Sequence, residues 1–100
     1  MLGKSTFEKI KHINEIGQEY WSARELYEVL DYIKWDKFLN VIDKAEVACK
    51  NSKQEPDDHF PRVEKMVEIG SGAKREIGDI HLSRYACYLI VQNADPSKEV

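Results

Sequence analysis

One hundred residues, 42% of them apolar, make one domain's worth of chain with enough material for a core, so neither disulfide staples nor a structural metal is required. Charged residues make up 33% of the chain, mean hydropathy is −0.58, and the longest apolar run, Tyr85 to Val91, is far shorter than the ~20 residues that span a bilayer. A membrane span is excluded, no apolar stretch follows the first Lys as a signal peptide would need, and a cytoplasmic domain is expected.

Ser5-Thr6-Phe7-Glu8 reads as a capping box opening a short helix, with Phe7, Ile10 and Ile13 turned inward. Gly17 ends or turns this segment, and Glu19-Tyr20-Trp21 reads as extended or loop-like. A second capping box, Ser22 to Glu25, opens a helix whose apolar face is Ala23, Leu26, Tyr27 and Leu30, broken at Asp31-Tyr32-Ile33. The longest helix follows, with Trp35, Phe38, Leu39, Ile42, Ala45 and Cys49 as one stripe from 35 to about 50. Residues 51–58 form a polar loop, and Pro61 delays any strand to Arg62 or later. From Val63 to Ile69 and from Glu76 to Leu82 the pattern alternates. Gly70-Ser71-Gly72-Ala73 supplies the positive-φ residues of a hairpin loop, with Lys74-Arg75 just past the tip. Ser83 caps a last helix, Arg84 to Asn93, and Asp95-Pro96 reads as the start of another. The chain is thus expected to be the N-terminal domain of a longer protein, cut near residues 95–100; a native disordered tail is the other reading. The fold class is α+β, with a helix-turn-helix-like pair and further helices packed around a small antiparallel hairpin.

Chemistry is sparse. Cys49 and Cys87 lie in helical patterns with no zinc spacing and read as buried thiols. The Gly70-Ser71-Gly72 turn lacks the Lys and Ser/Thr of a phosphate loop. His12, His59 and His81 show no metal-ligand spacing. Asp57, Asp58 and His59 could meet a metal as in a nuclease, but adjacent acids beside Pro are more often a solvated turn or helix cap. Asp79 and His81 share a strand face and read as a solvated pair, and Ser83 lacks the fixed partner that activates a nucleophile. No catalytic residue, metal or cofactor is expected.

Charge by segment says more than the net −3. Residues 34–53 hold five basic and three acidic groups, while 54–61 hold three acids and no base. If the second and third helices form a helix-turn-helix, the third presents Lys34, Lys37, Asn40 and Lys44 outward. Lysines there contact phosphate and Asn reads adenine, while Lys74 and Arg75 on the hairpin act as a wing. Asp36 and Asp43 dilute that field, and a lysine-bearing face is often only solvated. Tyr20, Trp21 and Tyr32 remain for base stacking once Tyr27, Trp35 and Phe38 are assigned to the core.

Several blocks also carry a resemblance. Glu19-Tyr20-Trp21-Ser22-Ala23-Arg24-Glu25-Leu26, Trp35-x-x-Phe38, Ala48-Cys49-Lys50-Asn51-Ser52, Asp58-His59-Phe60, the run from Met66 to Glu76, and Leu82-Ser83-Arg84-Tyr85-Ala86-Cys87-Tyr88-Leu89-Ile90 resemble the DNA damage-inducible protein D family. More distantly they are similar to the N-terminal domain shared by viral BRO proteins and phage antirepressors. The resemblance implies a bacterial protein of the SOS response, longer than this chain and linked to recombination. Its implied partners are DNA, single-stranded included, or a recombinase filament, and it defines no catalytic residues. Leu30-Asp31-Tyr32 stands where relatives often have Leu-Gly-Tyr, and Ala94 and Pro61 also depart from the pattern. If Asp31 is left-handed it costs about 1 kcal/mol more than Gly. The alternative to a DNA-binding module is a protein-interaction module with no direct DNA contact, which the net charge and the acidic 54–61 loop favour.

Overall fold

In the computed structural model, residues 4–32, 34–70 and 72–94 are described. The chain runs α1 (Lys4–Lys9), β1 (His12–Ile13), β2 (Glu19–Ser22), α2 (Ala23–Val29), α3 (Trp35–Asn51), α4 (Pro56–His59), β3 (Arg62–Glu68), β4 (Lys74–Leu82) and α5 (Arg84–Asn93). The four strands form one antiparallel sheet in the order β1-β2-β4-β3. This is the α+β class read from the sequence, with two more strands and one more short helix. The side chain of Ser5, residue Ile33 and the Asp95-Pro96 helix start lie outside the described residues.

Directly paired strand residues share a face and successive residues alternate. The pairs Trp21–Leu82 and Arg62–Ile80 therefore lie on one face, and Trp21, Leu82 and Ile80 are buried there. They join Leu26 and Leu30 of α2, Phe38, Ile42, Ala45 and Cys49 of α3, Phe60, and Ala86, Cys87 and Ile90 of α5 in one core. Both cysteines are free and buried, and burial pushes both thiols above their ordinary pKa. Trp21, a stacking candidate from sequence, is wholly inside: it stacks on Phe7 at 4.2 Å and its Nε1–H donates to the Phe7 carbonyl. Tyr32 is likewise taken up by packing, its ring tilted against Phe38 at 5.4 Å.

Local chemistry sets the boundaries. The Ser22 and Ser83 hydroxyls accept from the Glu25 and Ala86 amides, capping α2 and α5. The Glu25 carboxylate does not complete its capping box; it meets His12 instead, at 2.7 Å. α2 ends in a Schellman motif: Tyr32 N–H donates to Tyr27 O and Asp31 N–H to Glu28 O, with Asp31 at φ +62°. The condition on Asp31 is met, and glycine's usual place is held by a strained Asp. α3 ends the same way, Gln54 N–H to Cys49 O and Lys53 N–H to Lys50 O, with Lys53 at φ +64°. Ala94, by contrast, is extended at φ −71°, so no glycine is needed there.

The sequence reading is corrected in four places. Ile13 lies in β1 and is 58% exposed, not inward on a helix. The segment before α2 is a hairpin: Asn14 Oδ1 accepts from the Ile16 and Gln18 amides, and Gly17 sits at φ +84°. Within the polar loop, Glu55 caps the one-turn α4, with Pro56 at its first position. Lys74 and Arg75 are inside β4, paired with Glu68 and Val67, not past the tip.

Candidate nucleic-acid interface

α3 is amphipathic, and burying the Phe38, Ile42, Ala45, Cys49 stripe forces the opposite side outward. Lys34, Lys37, Asn40 and Lys44 are all exposed on α3 or just before it, as read from the sequence. None of these four side chains has a hydrogen-bond or ion-pair partner among the described residues. Residues seven apart lie on one line of a helix, so Lys37 and Lys44 form a basic row, Asp36 and Asp43 an acidic one, and Asn40 with exposed Val47 the row between.

Arg24 couples this helix to the hairpin. Its Nε–H donates to the Gly78 carbonyl at 2.9 Å, and its guanidinium lies 4.0 Å over the Trp35 ring at the first residue of α3. Tyr27 meets Trp35 edge-on at 5.4 Å. Asp79 makes the second coupling. It is 4% exposed, and its carboxylate accepts from the Ser22 hydroxyl at 2.5 Å, the Arg24 amide at 3.1 Å and the Ile80 amide at 2.8 Å. An acid at the first turn of α2 also meets the positive end of the helix dipole. The reading of Asp79 and His81 as a solvated pair is therefore wrong: Asp79 is a buried tertiary cap.

The hairpin divides its charge by face. Glu64, Glu68, Glu76 and Lys74 share one side, while Lys65 and Arg75 share the other with Val63, Val67 and Ile77. Lys74 and Arg75, adjacent in sequence, thus point to opposite sides and make no pair. Lys65 was missed in the sequence, although its period-2 position between Val63 and Val67 signals it. Its face continues into a ladder of rings: His81 stacks on Tyr20 at 4.1 Å, and Tyr20 on His12 at 5.2 Å. Burial holds His81 below the ordinary imidazole pKa; Asp79 opposes the shift, while His12 and Lys65 add to it.

The remaining arginines are engaged in the scaffold. Arg62 forks onto Glu46, and Arg84 binds Glu19 and Glu8 while lying over Trp21 and Phe7. Its hydrogen bond holds Glu19 below the usual carboxylate range; Glu8 is lowered too, first by Lys11 and then by Arg84. Among the described residues the Arg75 side chain, alone of the four arginines, makes no hydrogen bond, ion pair or ring contact, and it is exposed.

Asp57 and Asp58 are exposed in α4, and His59 turns away, its Nδ1 2.7 Å from the Ser83 hydroxyl. Among the described residues no cluster of three or more His, Cys, Asp or Glu is arranged to hold a metal. No helix among them is long and apolar enough to cross a membrane.

Comparison with known proteins agrees with the resemblance drawn from the sequence. Over 94 residues the chain is 54% identical to DNA damage-inducible protein D of Escherichia coli (strain K12), which covers 94% of this chain and 34% of that protein. The chain thus spans about a third of that relative's length. No solved structure matches it. Residues 9–100 match the BRO family, N-terminal domain. On that match over most of its length, the chain belongs to the family described as BRO family, N-terminal domain.

Proposed function

We propose that the chain is a non-enzymatic, DNA-associated module that works in a bacterial response to DNA damage. The observation that carries this reading is the set of exposed, unpartnered side chains on α3 and its N-cap, Lys34, Lys37, Asn40 and Lys44, tied through Arg24 to the β3–β4 hairpin. A helix offering lysines and an Asn beside a two-stranded ribbon is an arrangement that reaches phosphates and base edges together. In this reading Lys34, Lys37 and Lys44 contact phosphate, Asn40 reaches a base edge, and Lys74 and Arg75 meet backbone from either side of the ribbon. The name of the Escherichia coli relative supports the link to DNA damage, and membership of the BRO family is consistent with it. A recombinase filament on single-stranded DNA is the partner the damage response would supply, in the cytoplasm.

The test is the double substitution Lys37→Ala, Lys44→Ala. Each phosphate contact contributes about 0.9 to the slope of log affinity against log salt on duplex DNA, so the pair should flatten it by about 1.8 and weaken binding at every sequence. An unchanged slope removes α3 from the interface.

A second reading has its own observation. Net charge −3 and the exposed acids Glu55, Asp57 and Asp58 at α4 favour a protein partner that itself carries the DNA contact. It predicts no salt-sensitive DNA binding by the chain alone, and binding to a recombinase filament that is lost when Asp57 and Asp58 become Asn.

A further inference from the structure

The sheet face opposite the core is built differently from the helix surface just described. Its cations are Lys65 and Arg75, its rings are His12, Tyr20 and His81, and Val63, Val67 and Ile77 lie half-buried between them. Its two acidic neighbours are engaged: Asp79 is buried with its three donors, and Glu25 is taken by His12. The opposite face of the same hairpin gathers Glu64, Glu68 and Glu76. The flat rings thus lie on the side where Lys65 and Arg75 have no free acid beside them, whereas Arg62 and Lys74 share the other side with the three glutamates.

The ladder has a direction. It runs from His81 on β4 through Tyr20 on β2 to His12 on β1, with rings 24° and 18° from parallel. β1 is the edge strand, so the ladder ends at the rim of the sheet in His12, whose side chain is 42% exposed. Strand spacing puts that rim about 14 Å across the sheet from β3. The register sets Lys65, opposite Ile77, about 20 Å further along the strands, so roughly 25 Å separates the two backbone positions. Neither Lys65 nor Arg75 has an ion-pair partner among the described residues.

We propose that this face binds an unpaired stretch of a nucleic-acid strand, one base continuing the ring ladder on His12 while Lys65 and Arg75 hold phosphates several nucleotides further along the strand. Stacking on an aromatic ring is open to any base once it is unpaired, and a duplex, whose bases are already stacked, cannot offer one. The inference rests on the nucleic-acid reading above and adds to it a second surface and a strand preference.

The experiment follows the ring signals of the three histidines by proton–carbon NMR as the labelled chain is titrated with a twelve-residue oligothymidylate. His12 and His81 signals are expected to move, while His59, held by Ser83 on α4, is the internal control and stays. An abasic oligomer of equal length, and thymidine monophosphate, should each move them far less, since one lacks the base and the other the phosphates further along the strand. The pair His12→Ala, Lys65→Ala should weaken oligothymidylate binding about tenfold or more and leave duplex affinity unchanged. If His12 and His81 stay still while duplex DNA binds, or if the abasic oligomer or the monophosphate shifts them equally, this site is wrong and the α3 reading stands. If neither single strand nor duplex binds, both fall together.

Discussion

Replacing Asp79 tests how the hairpin is fixed to the helical part of the domain. The side chain is 4% exposed, and one carboxylate oxygen serves the Arg24 and Ile80 amides while the other serves the Ser22 hydroxyl. Asp79→Ala leaves these three donors without their acceptor beside the core. Each buried unsatisfied donor costs about 1–3 kcal/mol, with the upper figures reserved for groups that cannot relax, and the lost anion at the α2 N-terminus adds about 0.5 kcal/mol. The Ser22 hydroxyl can rotate and Ile80 is a next-residue contact, so the low end applies to both, giving a total of about 3.5–5.5 kcal/mol. Against a typical total of ~5–15 kcal/mol this is a large share, equivalent to a drop in Tm of roughly 15–40 °C for a domain of this size. Asp79→Asn keeps one oxygen for the two amides and loses mainly the charge and one donor's partner, so about 1–2 kcal/mol is expected. Urea unfolding followed by the fluorescence of buried Trp21 measures both variants. An alanine variant within about 0.5 kcal/mol of the parent would refute the role of Asp79 as a tertiary cap.

The strained helix ends predict a gain. Lys53 is exposed at φ +64°, so Lys53→Gly should stabilise the domain by up to about 1 kcal/mol in the same urea assay, where an ordinary mid-loop glycine would destabilise it. His81 predicts a pH dependence. Its folded pKa lies below the ordinary 6.5, so the unfolded chain takes up the proton first, and stability falls as pH drops through 6.5. His81→Phe, which keeps a ring against Tyr20, should flatten the Tm profile between pH 7.5 and 5.5; an unchanged profile would mean that His81 does not sense its burial.

What the sequence made legible follows the strength of each local signal. Helices α2, α3 and α5 were readable because their apolar stripes and two of their Ser caps are local, and the β3–β4 hairpin because Gly70 and Gly72 flank an alternating pattern. The β1–β2 hairpin was not: its two-residue first strand is too short for period 2 to be seen, and Ile13 imitates a helical repeat. α4 is a single turn, below the length at which periodicity exists. The lysines of α3 were found because a helix face is fixed by its own stripe. Lys65, His12, Tyr20 and His81 were not grouped, because strand order and register bring them onto one face from four separate strands. Asp79 was misread for the same reason: alternation places it away from the main core but says nothing of the α2 N-terminus that closes over it.

The most direct test of the proposed function is fluorescence anisotropy of labelled single- and double-stranded DNA, titrated with the chain at two salt concentrations. Direct contact through the unpartnered cations predicts binding that weakens steeply from 50 mM to 200 mM salt, as counterion release requires. No binding of either form at tens of micromolar protein in low salt would contradict it and leave a protein partner as the carrier of any DNA contact.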